Sequence, residues 1–184
     1  MRVALTGTPG TGKSAVATVL EKHGYTIVRL NELARKNTCI DGIDKKRHSQ
    51  LVDMDKLDRF IKKNFTTDTL VFFEGHIGHL LKTMDKVVIL RCHPKQLKKR
   101  LMKKKWSTKK IMENVEAEII DVILCEAVEQ HSAKIIFEVD TTRKAIEEVA
   151  ASIMEIVKKN FQQTKPYTIG QIDWSEEILK ENHI

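Results

Sequence analysis

A glycine-rich loop between an apolar run and a helical pattern constrains this chain more than any other feature. Residues 7–14, GTPGTGKS, fit the spacing G-x-x-x-x-G-K-[ST]. They follow the apolar run RVALT at 2–6 and precede the helical pattern SAVATVLEKHG at 14–24. Glycines in this setting let backbone N–H groups turn toward phosphate oxygens, and the helix N-terminus adds partial positive charge. The pattern predicts a nucleoside triphosphate site rather than a bare glycine turn, with Lys13 on the β- and γ-phosphates and the Ser14 hydroxyl on Mg²⁺.

Further apolar runs and helical patterns alternate along the rest of the chain. The additional strands are predicted at 25–30, 69–75, 86–92 and 134–140. The additional helices are predicted at 52–64, 94–104, 109–131 and 143–160. Continuous runs rich in Val, Ile and Phe are typical of parallel strands that are covered on both faces. The sequence therefore predicts the α/β class, a P-loop NTPase with a five-stranded parallel sheet and helices on both faces.

Composition limits the remaining possibilities. The 184 residues are predicted to form one domain, 1–184, because a chain of this length can bury a proper core. No apolar run approaches the roughly 18 residues of a membrane-spanning helix, and no signal-peptide pattern opens the chain, so we expect a cytoplasmic protein without a membrane partner. In the C-terminal tail, 165–184, Ile172, Trp174 and Ile178 could attach the segment to the body.

The chain carries a net charge of +7, which favours anionic partners such as nucleotides or RNA. Nine of the sixteen residues from Lys95 to Lys110 are basic. A solvated helix face is the alternative explanation for most of these lysines. The chain has only two Trp and two Tyr, so the sequence offers little support for stacking on RNA bases.

An acidic residue and a histidine follow the third predicted strand in FFEGHIGH. Because the carboxyl ends of parallel strands meet at one edge of the sheet, Glu74 and His76 are expected near the γ-phosphate. Glu74 could hold Mg²⁺ through water, and His76 could orient an attacking oxygen or accept its proton. The alternative for His76 is a histidine that only caps the strand end.

A nucleotide kinase also needs cations around the transferred phosphoryl group. The candidates are Arg91 at the end of the fourth strand, Arg100 on the next helix and Lys104 in the basic stretch. The polar, weakly periodic region 32–54 is predicted to be a flap that holds the acceptor nucleotide, with a surface loop as the alternative.

Four segments together resemble the adenylate kinase isoenzyme 6 group of small nucleotide kinases. They are GTPGTGKS, EGH, LRCHPKQLKKRLMKKKWSTKKIMENVEAEI and VDTTRKAIEEV, within a resemblance that spans about residues 1–160. It implies a nucleoside monophosphate kinase fold with an AMP flap and a short lid at about 103–113. We also expect the chain to be a monomer. It also implies ATP:AMP phosphotransfer with broad nucleotide tolerance, Mg²⁺ and some ATPase activity. Eukaryotic members of that group act in small ribosomal subunit maturation, but this short, lysine-rich chain resembles archaeal members.

The resemblance assigns roles to individual residues. Those implied to bind ATP are Gly10, Thr11, Gly12, Lys13, Ser14, Ala15, Lys104 and, near the adenine, Arg143. Two positions depart from the group's pattern. Glu74 stands where Asp is common, and Lys104 stands where an arginine is often found, which keeps the charge and loses the bidentate fork.

Two classes of function remain open on these residues. One is phosphoryl transfer from ATP to AMP or another nucleoside monophosphate. The other is an ATP-driven assembly factor that acts on a small-subunit ribosomal protein or rRNA. ATP consumption needs the monophosphate acceptor in the first case and the macromolecular partner in the second. Other P-loop kinases, for shikimate or deoxynucleosides, are a lesser alternative, and the absence of an N-K-x-D motif argues against a GTPase.

Overall fold

The computed structural model describes residues 1–44 and 49–177. Its strands, numbered β1 to β7, are Arg2–Gly7, Thr26–Arg29, Ile40–Asp44, Ser49–Val52, Val71–Glu74, Lys86–Arg91 and Ile136–Asp140. Its helices, numbered α1 to α7, are Lys13–Lys22, Leu30–Lys36, Met54–Asn64, Pro94–Met102, Thr108–Ile119, Val122–Gln130 and Ile146–Lys158. Within these described ranges, no helix is both long and apolar enough to cross a membrane.

The central sheet has five parallel strands in the order β2-β5-β1-β6-β7. Strand β1 lies in the middle, with Leu5 opposite Glu74 of β5 and Gly7 opposite Leu90 of β6. The strand order reverses at β1, and the carboxyl end of a strand at such a switch point is where this class of sheet places its ligands. The predicted fold class is confirmed, and the topology puts the glycine loop at the switch point.

Helices cover both faces of the sheet, as predicted from the continuous apolar runs. On one face α1 and α7 pack on the strands through Val16, Leu20, Val149 and Ile153. On the other face α2, α3 and α6 contribute Leu30, Ala34, Leu57, Ile61 and Ala127. Helices α4 and α5 pack against each other in a smaller cluster beside the loop, formed by Cys92, Leu97, Leu101, Ile111, Val115 and Ile119.

The long helix predicted at 109–131 is wrong, because the structure has two helices there. Helix α5 ends at Ile119, α6 begins at Val122, and Asp121 between them has φ 55, in the left-handed region. The apolar period of the sequence continues through the break, so it gives no sign of it. The side chain of Asp121 bonds to Arg91, a residue 30 positions earlier, and this long-range contact accompanies the bend.

The predicted flap and tail are more ordered than their polar sequences indicate. Within 32–54 the structure has the end of α2 and an antiparallel hairpin of β3 and β4, with residues 45–48 outside the described part. The tail carries a short 3-10 turn at Lys165–Tyr167, and Trp174 contacts the ring of His93 at 5.0 Å between centroids. The predicted contact of Ile178 also lies outside the described residues.

Candidate active site

The glycine loop joins β1 to α1 with a backbone that L-residues adopt at a cost. Gly7, Gly10 and Gly12 have φ values of 137°, 100° and 108°. A Cβ placed on Gly10 would lie 2.9 Å from Leu97 and 2.8 Å from Leu101, so the loop rests directly on α4. A Cβ placed on Gly12 would meet nothing within 4 Å. The loop is packed from behind and open at the start of α1, the side on which an anion can approach the helix N-terminus.

Lys13 is nearly enclosed by the loop that it follows. Its side chain is 8% exposed, and Nζ donates to the carbonyl oxygens of Gly7 at 2.6 Å and Thr8 at 3.1 Å. The pKa of Lys13 is lowered to about 8, mainly by burial and to a smaller extent by Lys104, while Glu74 and Glu118 oppose the shift. The ammonium group is therefore held at the loop, where the negative charge of a phosphate would raise its pKa again.

Ser14 and Glu74 lie together at the mouth of the loop. Ser14 is exposed on the first turn of α1, next to the exposed Ala15, and its Oγ donates to Glu74 Oε1 at 3.0 Å. Glu74 is at the end of β5, beside β1 in the sheet, and is almost buried. The structure thus brings the two predicted Mg²⁺ residues into contact.

The oxygen groups of this pair fit Mg²⁺, which is held in nucleotide sites by one or two carboxylates, phosphate oxygens and water. Within residues 1–44 and 49–177, no cluster of three or more His, Cys, Asp or Glu side chains is placed to hold a metal ion. One hydroxyl and one carboxylate form a donor set that suits an ion which also binds nucleotide phosphates.

Two histidines follow Glu74 and differ in environment. The side chain of His76 is exposed. Neighbouring protein limits the hydration of its ring and lowers its pKa, and the positive charges of Lys13 and His79 lower it further. His79 is buried, with Nδ1 at 3.2 Å from Thr6 Oγ1 and Nε2 at 2.8 Å from Glu126 Oε2. Burial lowers the pKa of His79, although the bond to Glu126 opposes the shift. The contact between His79 and Glu126 was not predicted from the sequence, because 47 residues separate the two side chains.

Arg91 lies in a buried acidic cluster, which we define as Arg91, Glu118, Asp121 and Glu138. Its Nε donates to Glu118 Oε1 at 2.9 Å, its Nη1 donates to Glu138 Oε1 at 2.5 Å, and its Nη2 donates to Asp121. All three guanidinium nitrogens therefore already have carboxylate partners, and the catalytic role predicted for Arg91 stays a prediction.

Glu118 is a second contact that the sequence analysis did not identify. Besides Arg91, this carboxylate accepts a hydrogen bond from the Thr8 hydroxyl of the glycine loop. One signal was available in the sequence. Glu118 shares the buried face of α5 with Ile111, Val115 and Ile119, and an acid in an apolar stripe indicates a buried charge with a partner.

A cavity of about 210 Å³ adjoins the glycine loop on the side of α7. Its walls are formed by Gly10, Thr11, Gly12, Val16, Arg100, Thr141, Lys144, Ile146 and Val149. Arg100 is fixed in this wall, because its guanidinium donates to the carbonyl of Thr141 at 2.6 Å and to that of Thr11 at 3.4 Å. Arg143, predicted to lie near the adenine, is exposed, and the neighbouring Lys144 lines the cavity instead.

Lys104 belongs to the turn that joins α4 to α5, within the predicted lid. It is exposed, and its Nζ lies 5.7 Å from the centre of the Trp106 ring, which Lys110 also approaches at 4.4 Å. The charge of Lys104 contributes to the lowered pKa of Lys13, so the two ammonium groups are within electrostatic reach. The turn between α4 and α5 therefore places positive charge near Lys13.

Comparison with known proteins agrees with this geometry. The AAA domain family matches residues 3–121. An Archaeoglobus fulgidus protein named "Putative adenylate kinase" is 42% identical over 178 residues, which cover 97% of this chain and 94% of the relative. Proteins of the same name from Methanocaldococcus jannaschii and Pyrococcus abyssi are 34% and 40% identical, covering 97% and 96% of this chain and 96% and 92% of their own lengths.

Solved structures with low identity share the fold. TT1252 from Thermus thermophilus superposes with a TM-score of 0.61 at 16% identity, covering 89% of this chain and 98% of that chain. Shikimate kinase from Aquifex aeolicus superposes at 0.53 and 18% identity, covering 87% and 98%. These two likenesses concern the fold alone. The archaeal relatives span nearly the whole chain, and together with the matched domain they show that the protein belongs to the adenylate kinase-like family of archaeal nucleotide kinases.

Proposed function

We propose that the protein transfers the γ-phosphoryl group of ATP reversibly to AMP, tolerates other nucleoside monophosphates and hydrolyses ATP slowly without an acceptor. The observation that carries this proposal is the meeting of Lys13, Ser14 and Glu74 at the switch point of the sheet. The names of the archaeal relatives support AMP as the acceptor.

In this reaction an oxygen of the acceptor phosphate attacks the γ-phosphorus, the bond to the β–γ bridging oxygen breaks, and ADP leaves. The step needs little covalent help, so catalysis comes from position and charge. Lys13 would leave the loop carbonyls and bind the β- and γ-phosphate oxygens. Ser14 and, through water, Glu74 would hold Mg²⁺, which neutralises phosphate charge when bound. His76 would orient the attacking oxygen from the rim.

The flap is placed to bring the acceptor to this site. Helix α2, which leads into the flap at 32–54, begins at Leu30, and the Leu30 side chain packs so closely on Gly75 that a Cβ on Gly75 would lie 3.0 Å from Leu30 Cβ. Gly75 stands between Glu74 and His76. The helix that leads into the flap therefore starts beside the proposed site of transfer, where acceptor and γ-phosphate must meet.

The cavity beside Arg100 is the proposed site of the ATP base. It touches the loop through Gly10, Thr11 and Gly12, so a base there would lead its phosphates toward Lys13. Lys104 would approach the phosphates from the lid. We place Arg91 outside the phosphate contacts, because its three nitrogens already donate to the acidic cluster.

The decisive experiment is coupled ADP formation from MgATP with and without AMP, CMP, UMP and GMP. AMP should stimulate wild type strongly, and Lys13→Ala should lose at least about a hundredfold, since one such charge contact contributes on the order of 3 kcal/mol to the barrier. Lys22→Ala, which removes an exposed lysine from the same helix, is the matched control and should keep the wild-type rate. AMP-dependent turnover in Lys13→Ala would show that the site is wrong.

A second candidate function has its own observation. The lysines of the basic stretch from α4 to the start of α5 are exposed, namely Lys95, Lys98, Lys99, Lys103, Lys104, Lys105, Lys109 and Lys110. Such a surface suits an anionic macromolecule, and an assembly ATPase acting on a ribosomal protein or rRNA would use it. This function would be favoured if the rate of ATP hydrolysis does not depend on any monophosphate but increases when small-subunit rRNA or a small-subunit ribosomal protein is added.

A further inference from the structure

We propose that Glu118 is a positioning residue for the phosphate loop, acting through the hydroxyl of Thr8. The proposal rests on ATP binding at the loop, as inferred above. It assigns to α5 a direct part in shaping the nucleotide site, through the contacts of Glu118 with Thr8, Arg91 and Cys92.

The carbonyl oxygen of Thr8 accepts three hydrogen bonds within the glycine loop. It accepts hydrogen bonds from Lys13 Nζ at 3.1 Å, from the Thr11 N–H at 3.2 Å and from Thr11 Oγ1 at 2.9 Å. The orientation of the Thr8 residue therefore determines where the ammonium of Lys13 rests and how the turn from Thr8 to Thr11 closes. Thr8 itself is 2% exposed, so water does not compete for these bonds.

The hydroxyl of Thr8 is tied to the protein by Glu118. It donates to Glu118 Oε2, while Oε1 of the same carboxylate accepts from Arg91 Nε at 2.9 Å and from the Cys92 N–H at 3.0 Å. Glu118 is 2% exposed and held on both oxygens. A buried carboxylate with fixed donors has little freedom, so it can hold the Thr8 side chain in one rotamer.

Arg91 maintains the position of Glu118. Its other nitrogens donate to Asp121 and Glu138, so the guanidinium is anchored between the end of α5 and strand β7. This arrangement gives Arg91 a role in the site that needs no contact with phosphate. The Glu118 carboxylate thus links the glycine loop to the end of β6 and to helix α5. Helix α5 is the helix that follows the lid turn.

The test is calorimetric measurement of MgATP affinity, which needs no acceptor. Thr8→Val keeps the shape and removes the donor, and Glu118→Gln removes the charge and the acceptor geometry. Each should weaken MgATP binding about tenfold, the expected effect of losing one charge-assisted hydrogen bond. The double variant should bind no more weakly than either single variant, because both remove one interaction. Thr8→Ser, which keeps the hydroxyl, should bind MgATP more tightly than Thr8→Val.

Glu116→Gln is the matched control, since it removes an equal charge from the exposed face of the same helix and should keep the wild-type affinity. Additive losses in the double variant, or wild-type affinity in Thr8→Val, would overturn the role of Glu118. Should Glu118→Gln fail to fold, Thr8→Val against Thr8→Ser decides the matter alone. A wild type that does not bind MgATP overturns the ATP site and this inference together, whereas wild-type binding with an unaffected Thr8→Val overturns this inference only.

Discussion

Gly10 and Gly12 share a left-handed backbone but face different surroundings. Both have φ near +100°, which costs an L-residue about 1–2 kcal/mol. Only Gly10 is pressed against side chains, those of Leu97 and Leu101. Overpacking adds about 1–3 kcal/mol. The free energy of unfolding of Gly10→Ala should therefore be lower than that of Gly12→Ala by this amount, and its urea midpoint should be lower.

The order of the two variants in MgATP affinity should differ from their order in stability. Gly12 opens onto free space at the start of α1, where we place the phosphates, so Gly12→Ala should weaken MgATP binding while it costs less stability than Gly10→Ala. Urea titration and MgATP calorimetry on the same two proteins separate the effects. Equal stability of the two variants would contradict the packing of Gly10 on α4.

His79 should make folding stability depend on pH in the weakly acidic range. Burial lowers its pKa in the folded protein below the ordinary value of about 6.5. As pH falls from that value, the unfolded chain takes up a proton that folded His79 resists, so stability is lost. Urea midpoints between pH 7.5 and 5 should fall more steeply in wild type than in His79→Gln. His23→Gln, at an exposed site, should keep the wild-type slope.

At the scale of elements, the acidic cluster joins β6, the α5–α6 corner and β7. It has one cation for three carboxylates, and burial raises the pKa values of Asp121 and Glu138 although Arg91 opposes the shift. Removing the single cation leaves the carboxylates buried without their partner, whereas neutralising one acid relieves repulsion. Removing Arg91 should therefore lower the free energy of unfolding much more than neutralising one of the acidic side chains does.

Arg91→Met should lower the free energy of unfolding by about 3–5 kcal/mol, the usual consequence of breaking a buried ion pair from one side. Asp121→Asn should cost less than about 1 kcal/mol, since its side chain is 27% exposed and asparagine tolerates the left-handed backbone at this corner. Denaturant unfolding measures both. A larger loss in Asp121→Asn than in Arg91→Met would contradict the charge balance of the cluster.

At the scale of the whole molecule, the C-terminal segment closes over the edge of the sheet that carries the acidic cluster. The Gly170 N–H donates to Glu138 Oε2 at 2.8 Å, Trp174 packs on His93, and Lys95 pairs with Glu177 at 3.2 Å. These contacts attach the segment to β7 and to the start of α4. The groups that the segment contacts here, Glu138, His93 and Lys95, are not residues of the glycine loop, so we expect the segment to contribute more to stability than to nucleotide affinity.

Trp174→Ala should lower the free energy of unfolding by about 2 kcal/mol, because the ring is half-buried and a fully buried one would cost more. MgATP affinity should stay within about twofold of wild type, a difference of under half a kcal/mol. Thermal unfolding and calorimetry test the two statements. Gln171→Ala, an exposed neighbour, is the control for the segment. Wild-type stability in Trp174→Ala would show that the contact with His93 does not hold the segment.

The elements that were predicted well are those whose signals are local. The strands, the helix after the loop and the loop residues themselves follow from glycine positions and apolar periods within about twenty residues. The break at Asp121 was missed because the apolar period runs through it and its partner Arg91 lies 30 residues away. Local patterns do not predict the wall of the cavity, since Thr141 and Lys144 reach the loop only through the packing of β7 and α7.

The sequence by itself determined the α/β class, the glycine loop and the approach of Ser14 to Glu74, because these depend on spacing along the chain and on the ends of adjacent strands. The tertiary structure alone decided the partners of Arg91, Glu118 and His79, which lie 26 to 110 residues from the groups they contact. A buried charge takes whichever donors and acceptors the packed elements bring within hydrogen-bond distance, and no periodicity along the chain encodes that choice.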